Sequence, residues 1–184
     1  MKNSKSILTA TFCLVVICLV VTGAVAGTRY AFSDEIAAQE WQQQQTTMSK
    51  LIKAEDYQQL TNDYAANGQL YEAITAAGET AGFIAITAEY GYGSEVSVMT
   101  AITPAGQVAG IEILDASQET PGLGQNVTRS DFTKQFDNLT ASPKVVKQKA
   151  ADNEIQAVTG ATRSSNAVAG AVTKALALYE KEVG

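Results

Sequence analysis

The sequence contains no histidine, and its two cysteines, Cys13 and Cys18, both fall inside one uncharged apolar run. Without histidine there is no Ser-His-Asp triad and no His-ligated zinc, so general acid or base work would fall to carboxylates, lysine or tyrosine. Beyond the apolar run there is no thiol for a disulfide, a thiolate metal site or a Cys-x-x-Cys-His haem attachment, and no metal site is expected. The residue before Cys18 is Ile17, too bulky for lipoprotein processing. Basic residues are also scarce: 13 Lys and Arg stand against 19 Asp and Glu, a formal net charge of −6. That balance excludes nucleic acid as the first candidate partner. The serines show no nucleophile elbow, which sets aside a hydrolase.

What is present begins with ILTATFCLVVICLVVTGAVA from Ile7 to Ala26. At about 1.5 Å rise per residue, this stretch as a helix covers the roughly 30 Å hydrocarbon core of a bilayer. Lys2 and Lys5 precede it, while Asp34, Glu35 and Glu40 follow. The positive-inside bias keeps the N-terminus cytoplasmic and sets the rest of the chain on the periplasmic or extracellular side. Ala24-Val25-Ala26 also resembles a signal-peptide cleavage site. The apolar run exceeds the roughly 7–15 residues of a signal core, so it reads as a retained single-pass anchor.

After the anchor, Ser33-Asp34-Glu35 is a helix-start signal, and the polar stretch from Glu40 to Leu60 reads as a helical stalk. Trp41, Met48, Leu51, Ile52 and Leu60 are its few large apolar residues, enough for a narrow docking face. From Gln69 the period shifts towards two. Strands are expected over Leu70 to Thr75, Ala81 to Ala88, Glu95 to Ile102 and Gln107 to Leu114. Thr103-Pro104-Ala105-Gly106 suits a type I turn between the last two. Ala167, Val168, Ala171, Val172, Ala175, Leu176 and Tyr179 then fall at helical spacing, so a helix from Ser164 to Glu182 packs on the sheet. The expected fold is α+β. Its parts are a cytoplasmic tip and membrane anchor over 1–27, a helical stalk over 28–68, and an antiparallel-sheet domain with a C-terminal packing helix over 69–184.

Two stretches stand out for chemistry. In Thr159-Gly160-Ala161-Thr162-Arg163-Ser164-Ser165, small residues let a backbone approach a ligand, Ser164 or Ser165 can cap the following helix, and the helix N-terminus offers free N–H groups. On these residues alone, a capped helix start and an anion site are both open, and Arg163 fits either a solvated or a functional role. In Glu119-Thr120-Pro121-Gly122-Leu123-Gly124, Thr-Pro-Gly favours a type II turn, and Gly124 permits a further unusual backbone angle. Gly91-Tyr92-Gly93-Ser94 is a third loop, either close-approach or merely connecting.

Taken together and in this order, the anchor, Gly91-Tyr92-Gly93, Glu119 to Gly124 and Thr159 to Thr162 resemble the FMN-binding domain family, most closely its branch in the Rnf ion-translocating electron-transport complexes. The resemblance spans nearly the whole chain. It implies an electron-transfer subunit without independent catalysis, in a membrane complex that oxidises ferredoxin, reduces NAD and moves Na⁺ or H⁺. It implies covalent FMN, joined through a phosphoester to Thr162 by a separate flavin transferase that uses FAD and a divalent metal. Thr159, Gly160 and Ala161 would shape access to Thr162, Ser164 and Ser165 would donate to phosphate oxygens, and the loop of Glu119, Thr120, Pro121, Gly122, Leu123 and Gly124 would lie near the flavin. The expected partners are the other membrane subunits of the complex and the transferase. The same flavin motif occurs in the C-type member of the Na⁺-translocating NADH:quinone oxidoreductase. A free-standing extracellular flavoprotein shuttle and a flavin-less membrane-tethered scaffold are further readings. The chain departs from the family pattern at Gln156, where an acidic residue is common, at Ser94, often a glycine, and at Gln118, in the vicinity of a frequent histidine.

Overall fold

The computed structural model describes residues 2–63, 68–149 and 151–184. The chain forms two compact units, Met1–Gln44 and Gln45–Gly184. In the first unit, helix α1 (Lys2–Ala31) carries the apolar run, and Ile7–Ala31 is long and apolar enough to cross a membrane. Its large apolar side chains face outward all round, as Phe12, Ile17 and Leu19 illustrate. A water-soluble helix would instead gather such residues on one buried stripe. Two of its threonine hydroxyls are satisfied within the helix, Thr11 donating to the carbonyl of Ile7 and Thr28 to that of Ala24, which suits a segment surrounded by hydrocarbon.

Helix α2 (Ser33–Leu51) begins with Asp34 and Glu35 in its first turn and straddles the boundary between the units. It stops at Leu51, short of the Leu60 expected for the stalk, and Asp56–Asp63 pairs as strand β1. DYQQLTND carries almost no apolar signal because β1 is an edge strand that buries little more than Tyr57. Its pairing shifts register between Gln59 and Thr61, and Leu60 there is 43% exposed. The part of the expected stalk over 64–67 lies outside the described residues.

Strands β2 (Gly68–Ile74), β3 (Thr80–Tyr90), β4 (Glu95–Ile102) and β5 (Val108–Asp115) follow the expected spans closely. Every neighbouring pair is antiparallel and the sheet order is β1-β2-β3-β4-β5. The turn from Thr103 to Gly106 forms where the sequence places it: Gly106 takes φ +79° and its N–H donates to Thr103.

Period two divides the side chains between two cores. On one face, Phe83, Ala85, Val96, Val98 and Ile102 meet Val168, Ala171, Val172 and Ala175 of helix α4 (Thr162–Glu182). Phe83 stacks edge-on against Tyr179 at 5.2 Å, and the Tyr179 hydroxyl donates to the carbonyl of Pro104. On the other face, Tyr71, Ala73, Ile84 and Met99 bury Met48 from the end of α2, with Leu51 and Ile52 beside it. Each fully buried side chain of this size contributes about 1.5–3 kcal/mol. The chain from Ala116 to Ala161 then wraps the domain through a 3₁₀ turn at Gly124–Thr128, the short helix α3 (Ser130–Thr133) and a parallel pair of strands, β6 (Lys144–Val146) and β7 (Glu154–Gln156). Val127, Phe132, Phe136 and Leu139 secure it to the α4 core.

One position in this core is poorly matched. The Oγ1 of Thr100, on the α4 side of β4, is buried without a hydrogen-bond partner. Replacing an unsatisfied hydroxyl by a methyl of the same shape removes a desolvation cost. Thr100→Val is therefore expected to raise the unfolding free energy by about 1 kcal/mol, read by urea unfolding of the detergent-solubilised chain. A loss of stability would show that the hydroxyl has a partner in solution.

Candidate functional site

The three loops singled out in the sequence meet at one carboxylate. Glu119 is buried, 1% exposed. Its Oε1 accepts the N–H groups of Tyr92 and Gly93, each at 2.9 Å, and its Oε2 accepts the hydroxyl proton of Ser164. Arg163 closes the circuit, its Nε donating to the carbonyl of Gly91 at 2.9 Å. Gly91-Tyr92-Gly93-Ser94 is thus the β3–β4 hairpin loop, closed by Gly91 N–H to Ser94 and seated on a side chain 26 residues further along.

The glycines follow from this crowding. A Cβ on Gly91 would lie 2.4 Å from Glu119 Oε1, and one on Gly93 would lie 2.0 Å from the carbonyl oxygen of Gln118. One on Gly124 would lie 2.8 Å from Ser164 Oγ and 2.9 Å from Glu119 Oε2. The unusual backbone angle expected at Gly124 does not occur: it is not among the positive-φ glycines, and close approach is what it provides.

Two tight turns flank the hub. Thr120-Pro121-Gly122-Leu123 forms the expected type II turn, with Gly122 at φ +74° and the Leu123 N–H donating to Thr120. Val158-Thr159-Gly160-Ala161 repeats the geometry, with Gly160 at φ +78° and the Ala161 N–H donating to Val158. The turns touch, since a Cβ on Gly160 would meet Leu123 Cδ2 at 3.1 Å.

Helix α4 starts immediately after the second turn, at Thr162 rather than at Ser164. Neither serine caps it: the N-cap is Ala161, with no side-chain hydrogen bond. Ser165 instead staples the turn, accepting the Val158 N–H and donating to the Ala161 carbonyl, both at 3.0 Å. With Ser164 donating to Glu119 and Ser165 to Ala161, both hydroxyl protons are spent inside the protein rather than held out to a phosphate. Glu119 likewise points into the domain.

Thr159, Gly160 and Thr162 are exposed. The first helical bond of α4 runs from Ser165 N–H to Ala161, so the N–H groups of Thr162, Arg163 and Ser164 precede the ladder and point out of the helix start. These donors, the positive end of the helix dipole and the anchored guanidinium of Arg163 favour an anion beside Thr162. A cavity of about 340 Å³ opens next to this helix start, lined by Tyr92, Leu123, Gly160, Ala161, Arg163 and Ser164 among others; Thr162 itself is not part of its lining. Small residues, one aromatic and one leucine around a helix start with free N–H donors fit a phosphorylated planar ligand. Sequence reasoning missed a second groove of about 570 Å³ on the Thr159 side, where Arg129, Phe132, Gln135 and Gln156 come together. The amide of Gln135 accepts the N–H of Gln156 at 2.8 Å and donates to its carbonyl, holding the approach to the turn extended.

Residues 91–177 match the FMN-binding domain family, a span that opens on Gly91 and contains Glu119 and Thr162, and residues 1–51 match the RnfG N-terminal region. The G-type member of the proton-translocating ferredoxin:NAD⁺ oxidoreductase complex of Clostridium ljungdahlii is 32% identical over 178 residues, covering 95% of this chain and 92% of the relative. Its counterpart in the Na⁺-translocating ferredoxin:NAD⁺ oxidoreductase complex of Acetobacterium woodii is 37% identical over 108 residues, 56% of this chain and 51% of the relative. Among solved structures, the C-type member of the Na⁺-translocating NADH-quinone reductase of Parabacteroides distasonis shares the fold, with TM-score 0.58 and 18% identity over 74% of this chain and 80% of that one.

Burial pushes the Glu119 carboxyl up, but the hydrogen bonds from Ser164, Gly93, Tyr92 and Ser94 outweigh it and hold the group below its ordinary 4.5. A carboxyl with a depressed folded pKa stabilises the fold above its unfolded pKa, and that stabilisation is lost as pH falls through the folded value. Glu119→Gln is expected to cost about 1–3 kcal/mol at neutral pH. The gap between wild type and variant should close as the pH of urea unfolding falls below about 4.5. A gap that persists unchanged in acid would show that the charge of Glu119 contributes nothing.

Proposed function

The chain belongs to the FMN-binding RnfG family of ion-translocating ferredoxin:NAD⁺ oxidoreductase complexes, and we propose that it carries its FMN covalently, as a phosphoester on Thr162. The observation that carries this reading is the exposed Thr162 hydroxyl at the first turn of α4, beside N–H groups that precede the helix ladder and beside Arg163. In the attachment reaction the Thr162 oxygen bonds to the flavin-side phosphorus of FAD, the pyrophosphate P–O bond breaks, AMP leaves, and the hydroxyl proton passes to the transferase or to water. A flavin transferase with a divalent metal supplies that reaction.

The bound FMN supplies one- or two-electron transfer. The protein's part is to hold and shield. The helix N–H groups and Arg163 hold the phosphate charge, Gly160 and Ala161 leave room for it, and Tyr92 and Leu123 give the cavity beside it apolar walls. Electrons arrive from and leave to neighbouring subunits, and the chain catalyses no reaction alone. The match of residues 1–51 to the RnfG N-terminal region favours a member of a complex over a free-standing shuttle. With Lys2 and Lys5 on the cytoplasmic side, the FMN domain faces the periplasm or the exterior. A covalent bond suits a carrier there, where no pool of free FMN can replace a lost one.

Co-expression with a flavin transferase and in-gel fluorescence of the denatured protein tests the linkage. Wild type and Thr159→Ala should fluoresce and Thr162→Ala should not. A dark wild type beside an active transferase would refute covalent flavin in this chain.

A further inference from the structure

Helix α4 starts on Ala161, which has no side chain to cap it, and an uncapped first turn is where a helix frays. Yet the residues around Thr162 are tied down on every side. Ser165 staples the preceding turn, Arg163 is fastened to Gly91, and Ser164 is fastened to Glu119, 45 residues away in sequence. A carboxylate here is electrostatically out of place if its purpose is to meet a phosphate, because the two anions repel. Its oxygens are occupied by donors from the hairpin loop and from α4, and it faces inward. Geometry is the role left to it: a carboxylate from a distant loop that ties the Ser164 side chain in the first turn of α4 to the Tyr92 and Gly93 N–H groups, while the N–H groups of that turn stay free.

We propose that Glu119 is the positioning residue for flavin attachment, a buried tie that, through the Ser164 side chain, locks the first turn of α4 to the Gly91–Gly93 loop and so presents the Thr162 hydroxyl as a rigid acceptor to the flavin transferase. The proposal rests on Thr162 being the attachment residue. A rigid acceptor matters because group transfer needs the attacking oxygen held near its line of approach, and displacement by about 1 Å costs up to a hundredfold in rate. The glycines at 91, 93 and 124 belong to the same device, since a side chain at any of them would lift a loop off the carboxylate.

The test uses the full chain in detergent with purified transferase, FAD and Mg²⁺, following the rate of fluorescent labelling, together with amide hydrogen exchange of the unlabelled protein. Glu119→Gln and Ser164→Ala should label between about tenfold and a hundredfold more slowly than wild type. Their exchange should quicken at Tyr92–Gly93 and Thr162–Ser164 while the sheet amides keep their protection. A core variant, Val108→Ala, is expected to lose a comparable amount of stability, checked by urea unfolding, and should label at the wild-type rate below its unfolding transition. Variants at Glu119 and Ser164 that label at the wild-type rate, or a Val108→Ala that slows equally, would overturn the proposal. A wild type that stays dark overturns the Thr162 linkage itself. That failure is distinguishable, because a failed positioning role leaves wild type and variants equally bright.

Discussion

A single buried carboxylate holds the functional end of this domain together. Glu119 reaches the N–H groups of the β3–β4 loop with one oxygen and the Ser164 hydroxyl of α4 with the other. Such an ion is tolerated in the interior only because donors replace the water it has lost. The consequences spread outward. The loops must come within hydrogen-bond distance, so glycine is required at 91, 93 and 124. The start of α4 is set by that contact and by the Ser165 staple, which leaves Thr162 outside the ring of contacts and exposed.

Much of the scaffold was legible in the sequence. The strands β2 to β5 announce themselves by period-two alternation, α4 by its apolar stripe, and the membrane helix by its uncharged length. The Thr120–Leu123 turn was legible down to its type, because Pro at the second position and Gly at the third leave little choice. Strand β1 was not. An edge strand that buries one tyrosine has no periodicity to show, and its glutamines read as a continuation of the helix before it.

The site was legible in its parts rather than in its wiring. Thr159 to Thr162 and Glu119 to Gly124 were recognisable as short motifs, but nothing local reveals that a glutamate and a serine so far apart are hydrogen-bonded, or that Ser164 and Ser165 spend their hydroxyls inward. Gly124 shows the same limit. Glycine signals either backbone freedom or close approach, and only the fold tells which applies. The groove at Arg129, Gln135 and Gln156 has no sequence signature, since it is assembled from a one-turn helix and a three-residue strand.

The division of labour between the two units follows from their surfaces. The first unit carries an apolar helix whose segment Ile7–Ala31 has no buried face, as suits lipid, followed by the polar start of α2. The second unit buries its apolar residues in two cores of its own. The role of Glu119 as the hub of these loops is tested most directly by an NMR pH titration of the ¹⁵N- and ¹³C-labelled protein that follows the Glu119 carboxyl carbon and the amide protons of Tyr92 and Gly93. All of them should move together with one midpoint below the ordinary glutamate value of 4.5. Amide protons indifferent to the titration of Glu119, or a midpoint at or above that value, would contradict that role.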